Sequence, residues 1–459
     1  MPSKALRMPD KRDLTQGSVR YQLIRLAGPL VFGIIALISV GIVDAYFLGQ
    51  LGTEPLAAIS FAFPVSFAIT SLAIGLSAGT GSVLSRSIGR KDRGRTKRLA
   101  TDSLVLALLL SIFVAIIGYL TIRPLFSLVG AEGRILDLIE IYMTIWYLSL
   151  PLLVIAQVAN NILRANGDTL VPSGLMIGSA VINILLDPLF IFGGFGIPAM
   201  GIEGAAWALV AGRLFIPLIA IPVLIFRDRM LDFILPNLAD MLDSWREILR
   251  IGLPAALGNA VNPIGISIVT AMLAVYGAET VAGFGVATRL ESFASIPMLA
   301  LSGSIGPLVG QNWGAGKFDR VREAVRFAMT ICIVWGFATA AIFAFAADPL
   351  SAQFSDSATV TEESRLYLWV VPATLAGYGV TIVAAGAFNA LGRPMLGLGL
   401  YLIRTAALYV PLAGIATLLF ATTGVYAAIA ITNVLAGIAV YFATFRWLEG
   451  MIAKERAAG

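Results

Sequence analysis

Long apolar stretches recur along the chain, and short polar or charged segments separate them. A helix needs about 20 mainly apolar residues to cross the hydrocarbon core of a bilayer. Twelve stretches satisfy this condition, at residues 23–48, 56–82, 99–121, 136–162, 169–193, 200–226, 247–275, 281–305, 323–345, 364–388, 395–420 and 424–447. The pattern therefore predicts an all-α membrane protein with twelve transmembrane helices.

The composition agrees with a lipid environment. Of the 459 residues, 58% are hydrophobic and 13% are charged, whereas soluble domains contain about 25% charged residues. The net charge of +5 could indicate nucleic acid, but the basic residues cluster in short segments between spans, as in RSIGRKDRGRTKR at 86–98. Because cytoplasmic loops carry the excess of Arg and Lys, we expect both termini in the cytoplasm and no nucleic-acid partner.

The chain contains no His, and Cys332 is its single cysteine. This excludes disulfides within the chain, Cys/His zinc sites, Ser-His-Asp triads and histidine proton relays. Since neither a nucleophile–base pair nor a metal-ligand cluster stands out, we expect that the protein is not an enzyme and carries no cofactor. Chemistry with protons or cations must then rest on carboxylates.

The two halves of the sequence resemble each other. LIRLAGPL in the first half matches ILRIGLPA in the second, and four aligned pairs lie 225 residues apart: Pro29 with Pro254, Gly52 with Gly277, Gly89 with Gly314, and Gly167 with Gly392. Six crossings return the chain to its starting side, so the repeats are parallel. Two lobes around an axis along the membrane normal form a common transporter plan.

This plan predicts two six-helix lobes related by pseudo-twofold symmetry. The first lobe covers 23–226 and the second covers 247–447, with a cytoplasmic linker at 227–246. A cytoplasmic N-terminal segment covers 1–22, and a cytoplasmic tail covers 448–459.

Two acidic residues lie inside apolar spans of the first lobe. A charge at the bilayer centre costs about 2.5–3.5 kcal/mol on insertion scales, so Asp44 indicates a functional site. Asn183 and Asp187 are four residues apart and share one helix face. At 1.5 Å per residue, Asp44 and Asp187 both lie about 8–9 Å from the outer end of their spans. We expect the three residues to couple transport to protons or to ligate Na⁺.

Other intramembrane polar residues could line a substrate cavity or only hold helices together. They are Asn160, Asn161, Arg289, Asn259 and Asn262. For Arg213 and Arg404 we expect a structural role, with the side chain snorkelling or bonding backbone carbonyls. Pro29 lies in the same span as Asp44, and because proline frees backbone carbonyls and permits bending, we expect a conformational hinge there.

Several segments resemble the multidrug and toxic compound extrusion (MATE) family of transporters, in particular the DinF-like branch of that family. They are LAGPL and VDAYFLGQLG in the first span, NILLDPLFIFG in the fifth, and GVATRLESF and PLVGQNWGAGK around the eighth. The resemblance implies a MATE-type fold and an inner-membrane antiporter that expels organic cations in exchange for H⁺ or Na⁺. It also implies that Asp44 and Asp187 are the first-lobe acids, with Asn183 and Asn160 as polar companions and a bend at Pro29.

Two positions depart from the family pattern. Asn262 stands where NorM-like members carry a Glu, and Ala205 stands where members that bind Na⁺ in the first lobe often have Thr or Cys. The first departure argues against coupling through an acid of the second lobe. The second removes a candidate Na⁺ ligand and favours H⁺ as the coupling ion. We expect a monomer in the lipid bilayer that transports small drugs. A flippase for a lipid-linked or polysaccharide precursor is the nearest alternative, and a membrane receptor or enzyme is an alternative from another class.

Overall fold

Helices make up almost all of the computed structural model, which describes residues 12–232, 237–354 and 357–458. In chain order the helices are α1 Val19–Gln50, α2 Thr53–Gly89, α3 Arg93–Leu128, α4 Gly133–Leu148, α5 Leu150–Ala165, α6 Leu170–Phe192, α7 Ile202–Pro222, α8 Leu238–Ala274, α9 Ala278–Gly314, α10 Phe318–Ala352, α11 Ala358–Val370, α12 Leu375–Ala390, α13 Pro394–Leu402 and α14 Val410–Ala458. Turns of π-helix follow α7 at Val223–Arg227 and α13 at Ile403–Tyr409.

These helices supply the predicted membrane crossings. In the described chain, ten helical stretches are long and apolar enough to cross a membrane, and the pair α4–α5, bent by 44°, forms another. The last of the ten covers 64 residues, and non-helical backbone at Phe420 and Ala421 divides it into two. The prediction of an all-α protein with twelve transmembrane helices is confirmed.

Glycines aligned by the repeat have matching backbone conformations. Gly52, before α2, has φ +119°, and Gly277, before α9, has φ +114°. Gly167 and Gly392 have φ +80° and +72°. Residues with a Cβ rarely adopt such angles, so both halves need glycine at these turns.

The chain forms two compact units. Unit 1 contains residues 1–13 and 28–256, and unit 2 contains residues 14–27 and 257–459. The core of unit 1 includes Leu48, Leu84 and Trp146, whereas the larger core of unit 2 includes Leu23 and Phe388. The lobe boundaries given in the sequence analysis stay a prediction.

Two helices belong to both units. Helix α1 starts in unit 2 and changes to unit 1 between Ala27 and Gly28, next to Pro29. Helix α8 changes from unit 1 to unit 2 after Ala256, two residues beyond Pro254. The two changes therefore occur beside the prolines that the repeat aligns.

The turn between α9 and α10 anchors the segment before α1 within unit 2. The Leu14 N–H donates to Gln311 Oε1 (3.1 Å), and Asn312 Nδ2 donates to the Leu14 carbonyl (3.0 Å). Lys317 Nζ donates to the Thr15 carbonyl (2.7 Å), and Arg320 Nη1 donates to that of Gly17 (2.6 Å). These bonds satisfy one N–H group and three carbonyl groups that precede the first turn of α1.

A cluster of ion pairs lies in unit 1. Arg12 Nη1 lies 2.6 Å from Asp228 Oδ1, Arg227 Nε lies 2.8 Å from the same atom, and Arg227 Nη2 lies 2.7 Å from Asp168 Oδ2. Burial alone would raise the pKa of Asp228, but the hydrogen bonds and charges of Arg227 and Arg12 outweigh it, so that pKa lies below its ordinary value of 3.8. The cluster therefore stabilises the ionised carboxylate.

We expect Asp228→Asn to lower the free energy of unfolding of the protein by about 1–2 kcal/mol, because it removes charge-assisted bonds to two arginines. Because the folded-state pKa of Asp228 is depressed, its contribution is complete above pH 3.8 and is lost as the pH falls through the folded value. Thermal unfolding in detergent at neutral pH measures the difference. Asp243→Asn, at an exposed position of α8, should leave the midpoint unchanged, and an equal loss in both variants would contradict the role of the cluster.

Candidate functional site

The structure brings Asp44, Asn183 and Asp187 together in unit 1. The Asp44 and Asp187 side chains lie close enough to interact directly. The Asn183 amide nitrogen lies 3.1 Å from Asp44 Oδ1, and its oxygen accepts from the Leu209 N–H at 3.2 Å. We assign this amide orientation because the opposite one would place the amide oxygen against the carboxylate. We call Asp44 and Asp187 the carboxyl pair.

Close packing of α7 against α6 positions the partners of this pair. A Cβ at Gly204 would overlap the backbone of Phe190, and one at Gly212 would lie 3.0 Å from the Ser179 carbonyl oxygen. Ser179 Oγ donates to the Gly212 carbonyl at 2.7 Å. These contacts hold the Leu209 N–H of α7 against Asn183 of α6.

Arg213 of α7 is the basic residue that acts electrostatically on Asp44. Its Nη1 donates to Ser149 Oγ at 2.5 Å, and its guanidinium lies 4.9 Å from the centre of the Trp146 ring. Ser149 lies at the bend between α4 and α5. The described hydrogen-bond partner of Arg213 is thus a side-chain hydroxyl and not a backbone carbonyl, and its positive charge lies near Asp44.

Tyr142 of α4 lies near Arg213, Asp44 and Asp187. Its sequence position gave no signal, because a tyrosine in an apolar span is ordinary. The basic residue of α7 could have indicated it, because a charge as deep in the membrane as Arg213 requires polar neighbours.

The chemistry of the carboxyl pair follows from burial. The Asp187 side chain is 0% exposed, and its Oδ1 has no hydrogen-bond partner among the described residues. Two neighbouring carboxylates, one of them fully buried, cannot both stay ionised at low cost, and a proton on one of them allows a hydrogen bond to the other. The arrangement can therefore hold a proton and release it when a neighbouring charge changes.

Asn160 and Asn161 lie apart from this pair. Asn160 is five residues from the end of α5, or about 8 Å, whereas Asp187 is about 26 Å from the adjoining start of α6. Asn161 Nδ2 donates to Ser77 Oγ of α2, and the Asn160 Oδ1 atom is buried with no described partner. Asn161 thus joins two helices, and neither residue is placed as a companion of Asp44.

Arg404 is the centre of a polar group in unit 2. It lies on the π-helical turn after α13 and is 6% exposed. Its Nη1 donates to Asn262 Oδ1 (3.0 Å) and its Nη2 to Asn433 Oδ1 (2.7 Å). Its guanidinium lies 4.8 Å from the centre of the Tyr378 ring. We call these four residues the arginine site.

Two acidic residues of unit 2 are held by tyrosines. Tyr367 donates its hydroxyl to Glu291, which acts electrostatically on Arg404. Tyr426 donates to Glu363 Oε2 at 2.7 Å. The sequence indicated neither tyrosine, since both partners come from helices distant in the chain.

The other predicted residues occupy simpler positions. Arg289 is exposed on α9, Asn259 is half-buried on α8, and Pro29 is half-buried inside the helical stretch of α1. Of the predicted polar residues in unit 2, only Asn262 therefore contacts the arginine site through a described hydrogen bond.

Comparison with known sequences supports a transporter. A protein of Shewanella oneidensis described as "FAD transporter" is 38% identical over 442 residues, which is 96% of this chain and 98% of that protein. "Multidrug export protein MepA" of Staphylococcus aureus is 27% identical over 420 residues, covering 90% of each chain.

Solved structures of MATE transporters have the same fold as this chain. The Vibrio cholerae MATE transporter VcmN in the bent form superposes with a TM-score of 0.88 at 29% identity, over 94% of this chain and 97% of that one. An outward-facing multidrug resistance MATE family transporter of the MOP superfamily gives a TM-score of 0.92 at 26% identity, over 98% and 100%.

The family model MatE matches the chain twice, over residues 29–189 and 254–415. The two matches begin 225 residues apart, which is the offset of the internal repeat. This protein is a multi-pass membrane transporter, not an enzyme, and it belongs to the MatE family of multidrug and toxic compound extrusion (MATE) transporters.

Proposed function

We propose that this transporter is an export antiporter that exchanges protons for small molecules at the cell inner membrane. Both termini would be cytoplasmic, and the protein would act as a monomer. The observation that carries the proposal is the proximity of Asp44 to the fully buried Asp187 carboxyl group, because two carboxyl groups so placed can hold a proton that a membrane gradient supplies. Substrate binding would release this proton, and protonation from outside would release the substrate.

The residue at position 205 supports H⁺ over Na⁺ as the coupling ion. A hard cation such as Na⁺ requires oxygen ligands, and Ala205 supplies none where members of the family that bind Na⁺ in the first lobe often have Thr or Cys. A proton requires only the carboxyl pair.

Organic cations are the first candidate substrate class. The carboxyl pair, once ionised, would attract a cation, and the drug-exporting relatives support this class by their descriptions. Arg213 would limit the negative charge of the site, so a substrate with one positive charge fits better than a polycation.

Export of flavin adenine dinucleotide is the second candidate. It is favoured by the relative described as an FAD transporter, whose identity of 38% extends over 96% of this chain. FAD is an anion with two aromatic ring systems, so it needs a cationic group that the carboxyl pair does not offer.

Transport into vesicles tests the proposal. We expect that purified protein in Na⁺-free vesicles moves ethidium or FAD when a pH gradient is imposed, and that dissipating this gradient stops the movement. Transport that requires a Na⁺ gradient and ignores the pH gradient would contradict proton coupling. Vesicles without protein give the background for both compounds. The compound that accumulates above this background distinguishes the two candidates.

A further inference from the structure

We propose that Arg404 is the anion-binding group of a substrate site in unit 2, and that it takes the phosphate groups of an exported flavin dinucleotide. The inference rests on the second candidate function, and it adds the residues that would recognise the anionic part of that substrate.

The first argument is the charge of the arginine site. The direct partners of Arg404 are two neutral amide oxygens and a neutral ring. Among the described residues, no carboxylate forms an ion pair with it, although seventeen pairs occur elsewhere. A buried charge that no carboxylate contacts directly is costly, and a bound anion in direct contact would lower that cost.

The nearby acid is already engaged. Glu291 acts on Arg404 electrostatically, but its carboxylate accepts the hydroxyl of Tyr367. If Arg404 were only a structural partner of Glu291, a direct ion pair would be the expected arrangement. The amide contacts of Asn262 and Asn433 instead hold the guanidinium in a fixed orientation without a direct ion pair.

The second argument is the unused donor. Arg404 is 6% exposed, and its Nε has no hydrogen-bond partner among the described residues. A guanidinium binds phosphate best through two parallel N–H bonds, and the edge that contains Nε offers such a pair. Asn262 and Tyr378 are only half-buried, so the arginine site is not sealed on every side.

The third argument comes from the repeat. At the 225-residue offset, Arg404 aligns with Ser179 of α6, which precedes Asn183 and Asp187 by one and two helical turns on the same face. Repeat-related helices thus carry acidic residues in unit 1 and a basic residue in unit 2. The π-helical turn at Ile403–Tyr409 adds a local irregularity of the kind that is frequent at functional sites.

The test measures binding of FAD and ethidium to the purified full-length protein by fluorescence. We expect Arg404→Gln to weaken FAD binding by about tenfold or more, which corresponds to 1.4 kcal/mol, and to leave ethidium binding unchanged. Asn262→Asp places a carboxylate about where Oδ1 now accepts from Arg404 (3.0 Å). It should neutralise the guanidinium, keep the fold, and weaken FAD binding to a similar extent.

Arg393→Gln, at an exposed position before α13, is the matched control and should bind FAD as the wild type does. Unchanged FAD affinity in folded Arg404→Gln and Asn262→Asp proteins would contradict the proposed role of the arginine site. It would leave FAD export as a candidate function. If the Arg404→Gln protein does not fold, the FAD affinity of the Asn262→Asp protein decides between these outcomes. A wild-type protein that binds ethidium but no FAD would overturn the FAD candidate and this inference together.

Discussion

Replacing Asp44 by Asn is expected to reduce pH-driven export to about a tenth of the wild-type rate or less. Asparagine keeps the shape of the side chain and can still form a hydrogen bond with Asp187, but it has no titratable proton. The carboxyl pair would then lose the group that links substrate binding to protonation, a change of at least about 1.4 kcal/mol in coupling. Transport in Na⁺-free vesicles, together with proton release on substrate binding, measures the effect.

The same assay separates coupling from folding. Asp187→Asn should behave like Asp44→Asn, because both residues share one proton. Asp137→Asn, an exposed aspartate that pairs with Arg123, should retain export. Full gradient-driven export by folded Asp44→Asn protein would show that the pair does not couple transport, whatever the substrate.

Replacing Gly377 by Ala is expected to have the largest effect on folding. A Cβ at this position would overlap the backbone carbonyl of Asn433, and one at Gly437 would overlap Gly377 itself. Helices α12 and α14 can therefore approach only because both positions lack a side chain. Overpacking costs about 1–3 kcal/mol, and we expect a loss near the upper value, measured as a lower midpoint of thermal unfolding in detergent.

Gly399 provides the control. It lies inside α13, and a Cβ there would have no neighbour within 4 Å. Gly399→Ala should leave stability unchanged or raise it, because alanine favours a helix over glycine by about 1 kcal/mol. Equal midpoints for the Gly377 and Gly399 variants would contradict the close approach of α12 and α14. Since Asn433 bonds Arg404, the Gly377 variant should also weaken FAD binding.

The sequence predicted the features that follow from local pattern. Apolar length predicted the crossings, and the repeat predicted equivalent turns, which Gly52 and Gly277 confirm by their similar φ angles. The proximity of Asp44 and Asp187 could be anticipated, because a charged residue in lipid requires a polar neighbour and both lie at similar depth. That the pair couples transport stays a proposal.

The remaining features depend on helix packing, which spacing along the chain does not encode. Arg404 looked like a residue that bonds backbone carbonyls, yet its partners Asn262 and Asn433 come from α8 and α14. Tyr142 contributes to the first site only because α4 packs near α7. Asn160 shows the converse: its residue type fitted a polar companion of Asp44, but its distance along α5 separates them.

The shared helices α1 and α8 have a consequence for folding. If the chain were divided between α7 and α8, the first fragment would keep residues 14–27, whose Leu23 and Leu26 belong to the core of unit 2. It would lack residues 238–256, whose Ile248 and Ile251 complete the core of unit 1. We therefore expect that neither fragment, expressed alone, completes its native core.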